Sequence, residues 1–197
     1  MPVQTVNLKG DGGLYRDIEA GGNEWMELAC EVARESLALG GGPFGAVLLQ
    51  IDDASNEVIR YWTHHNHVVS AADPTAHAEV LAVRSACASL GVFHLDAIRR
   101  EESLLPQPGP LSHAVIYSSA EPCPMCYAAI RWAHLRELYF AATRFDASAP
   151  GVDFSDEEIY EDLVTPYSAR RLVVRQCATA NSLGAFNLWK RTPHARY

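Results

Sequence analysis

The chain has 197 residues, of which 48% are hydrophobic and 20% are charged, as expected for one soluble globular domain with a sizeable core. A formal net charge of −8 weighs against a tRNA or DNA substrate, although it does not exclude one, because nucleic-acid-binding proteins usually present a basic face. The sequence has neither the roughly 18 consecutive apolar residues of a membrane span nor a secretory signal pattern at its start, so we expect a cytoplasmic location.

Residues 1–22 are polar and glycine-rich, and we interpret them as a loosely attached leader ahead of a single domain at 23–197. Apolar residues recur at helical spacing over 23–39. A continuous apolar strand at 44–51, a turn at 52–56 and a second strand at 57–62 predict a β-hairpin. Downstream, the pattern predicts a helix from Asp73 and Pro74 to Leu90, a surface excursion at 97–112, a strand at 114–118, a helix at 124–134, a strand at 137–142, a short helix at 156–163, a strand at 172–176 and a last helix at 182–191.

The order of these predicted elements indicates the fold class. A helix, a hairpin and then alternating helices and strands are typical of a layered α/β domain with a mixed sheet, here of five strands. The sequence shows no internal repeat and no interdomain linker. The helix starts near 74 and 124 should therefore meet at one edge of the sheet, where binding sites of such folds usually form.

The five cysteines do not resemble a disulfide framework, because their number is odd and no secretory signal accompanies them. Cys30 and Cys87 lie on apolar faces of predicted helices, and Cys177 ends a predicted strand. We interpret these three as small buried hydrophobic residues. Cys123 and Cys126 differ, because they form a Cys-x-x-Cys unit.

Two short motifs carry the residues that chemistry needs, His-Ala-Glu at 77–79 and Pro-Cys-Pro-Met-Cys at 122–126, each in the first turn of a predicted helix. His77, Cys123 and Cys126 supply three zinc ligands and leave a fourth position for water, whereas a structural zinc site normally closes with four ligands. Helix starts also favour the thiolate form of cysteine. The sequence therefore predicts a catalytic zinc centre.

Glu79 follows the first ligand by two residues, so on a helix its side chain points about 200° away from that of His77. At the start of a helix it can still reach a water at the metal. We predict that Glu79 is the catalytic residue, acting as general base towards water and then as general acid towards the substrate.

Two other interpretations of the motifs stay open. A structural zinc site would need a fourth ligand from another histidine, although the sequence has no second Cys-x-x-Cys or His-x-x-x-His pair. A thioredoxin-like redox pair would leave His77 and Glu79 without a role. The histidines that offer themselves as a fourth ligand are His64, His65, His67 and His113.

With these motifs, residues 23–197 resemble the cytidine and deoxycytidylate deaminase superfamily, whose zinc enzymes carry this pair of patterns. The stretches at 42–47, 73–79 and 119–126 resemble its bacterial guanine deaminase branch most closely. The tRNA adenosine deaminases share the stretch around His77 and the Pro-Cys-x-Met-Cys pattern, so these two stretches alone do not decide the substrate. Features that favour the guanine deaminase branch are Pro124, Asp146 followed by Gly151 and Asp153, and the terminal Tyr197.

The resemblance implies a three-layer αβα sandwich, a bound Zn²⁺ and a homodimer. In the guanine deaminase branch the C-terminal segment is exchanged between subunits and closes the active site. Here 187–197 would play that part, with Tyr197 near the pocket.

The same resemblance implies roles for individual positions. Asn66 would hydrogen-bond the purine ring and Phe44 would pack on it. Asp146 would recognise the polar edge of the substrate, and Ala78 would join the substrate contacts. Plainer alternatives are a loop cap for Asn66, a core position for Phe44, and for Asp146 the cap of a turn with Ser148.

We therefore expect a hydrolase that removes the exocyclic amine of a purine base, guanine first, and yields xanthine and ammonia. Within the same chemistry the alternatives are guanosine, cytidine, another aminated heterocycle, or adenosine in tRNA. A non-catalytic, zinc-stabilised module is the alternative from another class. The leader, the 97–112 excursion and Arg144 depart from the family pattern, and they bear on the substrate rather than on the reaction.

Overall fold

A computed structural model of the protein describes Tyr15 and residues 21–193. Most of the predicted leader and Tyr197 lie outside these residues. Within them, no helix is both long enough and apolar enough to cross a bilayer.

Five strands form one mixed sheet, in agreement with the predicted fold class. The hairpin consists of β1 (Gly45–Asp52) and β2 (Val58–His65), and β1 also pairs antiparallel with β4 (Leu111–Ala120). On its other side β4 pairs parallel with β5 (Glu137–Ala142) and, at its start, antiparallel with the two-residue β3 (Ile98–Arg99).

Helices cover both faces of the sheet and give the three layers that the resemblance implies. Helix α1 (Glu24–Ala38) packs on one face, and α3 (Ala78–Leu90) and α4 (Pro124–Trp132) pack on the other. Asn23 caps α1, because its side-chain oxygen accepts from the N–H groups of Trp25 and Met26. The smaller helices are α2 (Val68–Ala71), α5 (Arg144–Ala147), α6 (Glu157–Val164) and α7 (Gly184–Trp189), with a 3₁₀ turn at Tyr167–Ala169.

The central strand β1 is buried on both faces, which explains its continuous apolar run. Successive side chains of a strand point to opposite faces. Val47 and Leu49 therefore pack in the cluster that includes Ala29 of α1, whereas Ala46 and Leu48 pack in the cluster with α3 and α4. Burial of one such leucine contributes roughly 1.5–3 kcal/mol.

Gly45 allows α1 to approach the start of β1 closely. A Cβ atom at this position would lie 2.5 Å from the carbonyl oxygen of Ala29 and 2.5 Å from the backbone nitrogen of Ala33. Any larger residue would push α1 away from the sheet.

The helix that was predicted to begin at Asp73 and Pro74 begins instead at Ala78. The carboxylate of Asp73 accepts hydrogen bonds from the backbone and hydroxyl of Thr75, at 2.8 and 2.7 Å. The carbonyl of Asp73 accepts from the N–H of Ala76. Local side-chain bonds thus fold these residues into a turn.

The predicted strand at 172–176 is wrong for the single chain. Within the described residues this segment has no strand partner, and Leu172 and Val173 are 72% and 69% exposed. The sheet takes its fifth strand, β3, from the 97–112 excursion instead.

Cys177 is exposed, which overturns its predicted burial, while Cys30 and Cys87 are half-buried.

Candidate active site

His77 and Cys123 each occupy the residue directly before a helix on the same face of the sheet. His77 is the N-cap of α3 and Cys123 is the N-cap of α4, both with extended backbone (ψ 151° and 167°). Pro124 opens α4, where its missing N–H is harmless. Cys126, one turn into α4, is fully buried. The two helix starts therefore converge, as the predicted fold class implies.

The donor atoms of these three residues have the spacing of a zinc site. His77 Nδ1 lies 3.6 Å from Cys123 Sγ and 3.4 Å from Cys126 Sγ, and the three donor atoms lie within 4.8 Å of one another. Tetrahedral zinc with its usual Zn–N and Zn–S bonds requires about 3.6 Å between nitrogen and sulfur. The residues present fit Zn²⁺, and they are positioned to bind it.

The two thiols and the imidazole are electrostatically coupled. A hydrogen bond from Cys126, with a further contribution from His77, lowers the pKa of Cys123 to about 4. The same contact with Cys123, together with burial, raises the pKa of Cys126. The bond to Cys123 also raises the pKa of His77. The lowered pKa of Cys123 favours its thiolate form, which is the form that binds a metal ion.

Glu79 is almost completely buried beside this group. Glu79 is 6% exposed and lies in the first turn of α3. Burial raises the pKa of its carboxyl group, and the charge of Cys123 adds to that rise. A carboxyl group with a raised pKa is suited to both accepting and returning a proton near neutral pH.

None of the four histidines considered as a fourth ligand belongs to the metal-binding group among the described residues. His113 contacts Asp53 instead. His65 stacks on His67, with ring centroids 4.1 Å apart. The donor set is therefore an open one of three, the type that catalytic zinc sites use.

Asn66 and Phe44 lie next to each other. The backbone N–H of Asn66 donates to the carbonyl of Phe44 at 3.0 Å. A Cβ atom on Gly42 would lie 3.2 Å from the Phe44 ring and 3.6 Å from the Asn66 side chain. The Phe44 ring also meets the ring of Phe154 edge-on, with centroids 5.0 Å apart.

Asn66 also has the local role considered as its alternative. Its side-chain oxygen accepts from the N–H of Val68 at 3.1 Å, which orients the amide. Among the described residues no hydrogen bond uses the amide nitrogen, so the donor end of the side chain is available to a ligand.

Asp146 is exposed and takes part in a capping box at the start of α5. Its carboxylate accepts from the backbone N–H and the hydroxyl of Thr143, at 2.8 and 2.7 Å, and its own N–H donates to that hydroxyl. These bonds lower the pKa of Asp146. The cap is thus made with Thr143, and Ser148 bonds the carbonyl of Phe145 instead.

Ala78 is fully buried as the first residue of α3, and Tyr197 lies outside the described residues.

Sequence reasoning gave no role to Glu121 or Phe154. The position of Glu121 directly before the 122–126 motif was the available signal. The contacts of both residues depend on segments that are distant in the sequence.

Comparison with known proteins agrees with this geometry. The family "Cytidine and deoxycytidylate deaminase zinc-binding region" matches residues 21–142. A guanine deaminase from Bacillus subtilis is 35% identical over 165 residues, which cover 84% of this chain and 88% of that protein.

A crystal structure of guanine deaminase from the same organism has a TM-score of 0.71 at 32% identity and covers 90% of this chain and 99% of the other. A guanine deaminase structure from Nitrosomonas europaea has a TM-score of 0.52 at 31% identity, with 71% and 68% covered. A tRNA-specific adenosine deaminase from Haemophilus influenzae is 33% identical over 129 residues, which cover 66% of this chain and 62% of that protein. The chain therefore belongs to the cytidine and deoxycytidylate deaminase family and is a zinc-dependent deaminase, a hydrolase that acts on C–N bonds.

Proposed function

We propose that this deaminase acts on guanine: water adds to the carbon that bears the exocyclic amine, the C–N bond breaks, and xanthine and ammonia are released. The observation that carries this choice is the extent of the similarity. The Bacillus subtilis guanine deaminase is matched over 88% of its length, whereas the tRNA-specific adenosine deaminase from Haemophilus influenzae is matched over 62%. The net charge of −8 also favours a small molecule over a nucleic acid.

Glu79 is the proposed general base and acid. Zinc, when bound, supplies Lewis-acid chemistry that lowers the pKa of a water towards ~7. Glu79 would take one proton from the attacking water and pass it to a ring nitrogen of the substrate. It would then take the remaining proton of the added hydroxyl and give it to the departing amine, so that ammonia leaves as the new carbonyl forms. Its burial, and the raised pKa that follows from it, support both halves of this cycle.

The proposed substrate contacts use the residues around the metal-binding group. Phe44 packs on the purine ring, and the amide nitrogen of Asn66 donates to it. Ala78, whose side chain is fully buried, contributes its backbone N–H, which the first turn of a helix leaves without an intrahelical partner. Asp146 recognises the polar edge of guanine, and Tyr197 lies near the pocket.

We also propose a homodimer in which 187–197 is exchanged between subunits. Apolar side chains in this segment and just before it support the proposal, because in the single chain Leu183, Phe186 and Leu188 are all exposed. Exposed apolar surface of this kind is typical of protein interfaces. We place the enzyme in the cytoplasm, where a reducing environment keeps thiol ligands free.

The substrate is tested by incubating the wild-type enzyme with guanine, guanosine, adenine, cytosine, cytidine and ammeline and measuring ammonia. We expect guanine to give the highest kcat/KM. A higher value for a nucleoside or for cytosine would reject guanine while keeping the deaminase chemistry. A tRNA substrate is tested separately by inosine formation.

A further inference from the structure

Glu121 lies at the edge of the sheet where the neighbouring strands β4 and β5 end. It directly follows β4, and its backbone N–H donates to the carbonyl of Ala142, the last residue of β5, at 2.7 Å. The chain continues from Glu121 through Pro122 to the metal-binding Cys123, and from Ala142 to the capping box at the start of α5. Glu121 is therefore adjacent to both segments of the active site.

The side chain of Glu121 joins these two segments. Its Oε2 atom accepts a hydrogen bond from the backbone N–H of Arg144 at 2.9 Å. Arg144 is the first residue of α5, directly after Thr143, whose hydroxyl and N–H hold the carboxylate of Asp146. Hydrogen bonds and the peptide bond between Thr143 and Arg144 thus connect Glu121, two residues before Cys123, to Asp146.

The same carboxylate oxygen accepts a second hydrogen bond, from the hydroxyl of Tyr15 at 2.6 Å. The ring of Tyr15 packs edge-on against Phe140 of β5, with centroids 5.6 Å apart. Two separate contacts therefore place this leader residue at the active-site edge of the sheet. We call Tyr15, Glu121 and Arg144 the Glu121 junction.

The guanidinium of Arg144 adds a contact on the far side of the junction. Its central carbon lies 4.4 Å from the ring centroid of Tyr160 in α6, a cation–π contact. The first turn of α5 is thus held by its backbone to Glu121 and by a side chain to α6. A turn held from two sides can keep Asp146 in one position.

We propose that Glu121 and Tyr15 are positioning residues that set the place of Asp146 relative to the metal-binding group, so that the leader contributes to substrate binding. This role rests on the proposed contact of Asp146 with guanine. Small displacements of the groups that position a substrate can lower the rate of the reaction strongly. Loss of the junction therefore weakens substrate binding and leaves the metal ligands in place.

The test compares two substitutions that differ only in where a hydroxyl is lost. Tyr15→Phe removes the donor to Glu121 and keeps the ring on Phe140. Tyr61→Phe is the matched control, because the Tyr61 ring also packs on an aromatic side chain, Trp25, but lies on β2, away from β4 and β5. KM, kcat and zinc content are measured for both variants with guanine.

We expect Tyr15→Phe to raise KM roughly 2- to 10-fold, the effect of one lost hydrogen bond, with stoichiometric zinc and little change in kcat. Tyr61→Phe should match the wild type. Glu121→Leu, which removes the acceptor of both hydrogen bonds, should raise KM at least as much as Tyr15→Phe. In an Asp146→Asn background, Tyr15→Phe should raise KM no further, because residues that act through one another are not additive.

Equal KM values for Tyr15→Phe and Tyr61→Phe would overturn the proposal. So would an undiminished effect of Tyr15→Phe in the Asp146→Asn background, which would indicate general destabilisation. A wild-type enzyme that releases no ammonia from guanine refutes guanine as substrate on its own. The same variants are then compared on the amine that the enzyme does hydrolyse.

Discussion

At the scale of single residues, the active site depends on a carboxyl group that the fold removes from water. Glu79 lies in the first turn of α3 and is 6% exposed. An isolated buried carboxylate is costly, so burial raises the pKa of Glu79. The fold thereby prepares Glu79 for proton transfer next to the metal-binding group.

Glu79→Gln should keep the fold and the zinc, because the amide is isosteric and Glu79 is not one of the three ligands. We expect kcat to fall by roughly 10²- to 10⁴-fold, the usual contribution of a general acid–base. Ammonia release and zinc analysis on the same sample measure both quantities. A variant that keeps more than a tenth of the wild-type kcat would show that another group moves the proton.

The ligand assignment can be tested with cysteines alone. Cys123→Ala should lose stoichiometric zinc, because only two protein donors remain at the site. Cys87→Ala is the matched control, because Cys87 is a half-buried thiol on α3, the helix that follows His77. Zinc is measured by metal analysis after dialysis. Stoichiometric zinc in Cys123→Ala, or its loss from Cys87→Ala, would contradict the assignment.

At the scale of elements, the short helix α5 is held by its capping box. A four-residue helix has little stability of its own, so the bonds between Thr143 and Asp146 decide whether this turn forms. The pKa of Asp146 is lowered by those bonds. The ionised carboxylate therefore stabilises the turn fully at pH values above 3.8, the ordinary pKa of an aspartate. This stabilisation is lost as the pH falls through the lowered pKa of Asp146.

Asp146→Asn should make the Thr143 amide exchange its hydrogen roughly fivefold faster near neutral pH, which corresponds to about 1 kcal/mol. As the pH falls below 3.8, the wild-type protection should approach that of the variant. Hydrogen exchange followed by NMR measures this difference. Asp153→Asn, in the following loop, is the control and should exchange as the wild type does. A difference that persists undiminished in acid would refute the role of the carboxylate.

At the scale of the whole molecule, the C-terminal part of the chain resembles one side of an interface. In α7, Phe186 and Leu188 are 67% and 61% exposed. The 172–176 segment has the apolar pattern of a strand but no partner within the described residues. A second copy of the chain would explain both observations, because a strand needs a neighbour and an apolar helix needs cover.

Removal of 187–197 should therefore change both assembly and activity. We expect the molar mass of the full-length protein to be twice that of one chain. The molar mass of the truncated protein should shift towards that of the monomer. Because the exchanged segment would close the active site, kcat/KM for guanine should fall at least tenfold. Analytical ultracentrifugation and ammonia release measure the two effects. A truncated protein with wild-type mass and activity would rule out the exchange.

The sequence predicted the features that depend on local order. The metal-binding group was predicted because ligand type and helix starts are set within a few residues, as in 122–126. The hairpin, β4, β5 and α1 followed from the hydrophobic pattern, and α3 and α4 followed from the residues that start or end a helix. Even locally one prediction was wrong, because Asp73 was interpreted as a helix cap but its side chain closes a turn with Thr75. An aspartate side chain can accept backbone N–H groups at a helix start and in a turn alike, so its presence does not distinguish the two.

Only the tertiary structure decided what distant segments do together. It buries Glu79 and joins Tyr15 to Glu121 across 106 residues. It also leaves 172–176 without a strand partner, although the apolar pattern there is that of a strand. The physical reason is the same in each case: periodicity reports which side chain faces a core, whereas pairing and contact depend on which neighbour the fold supplies.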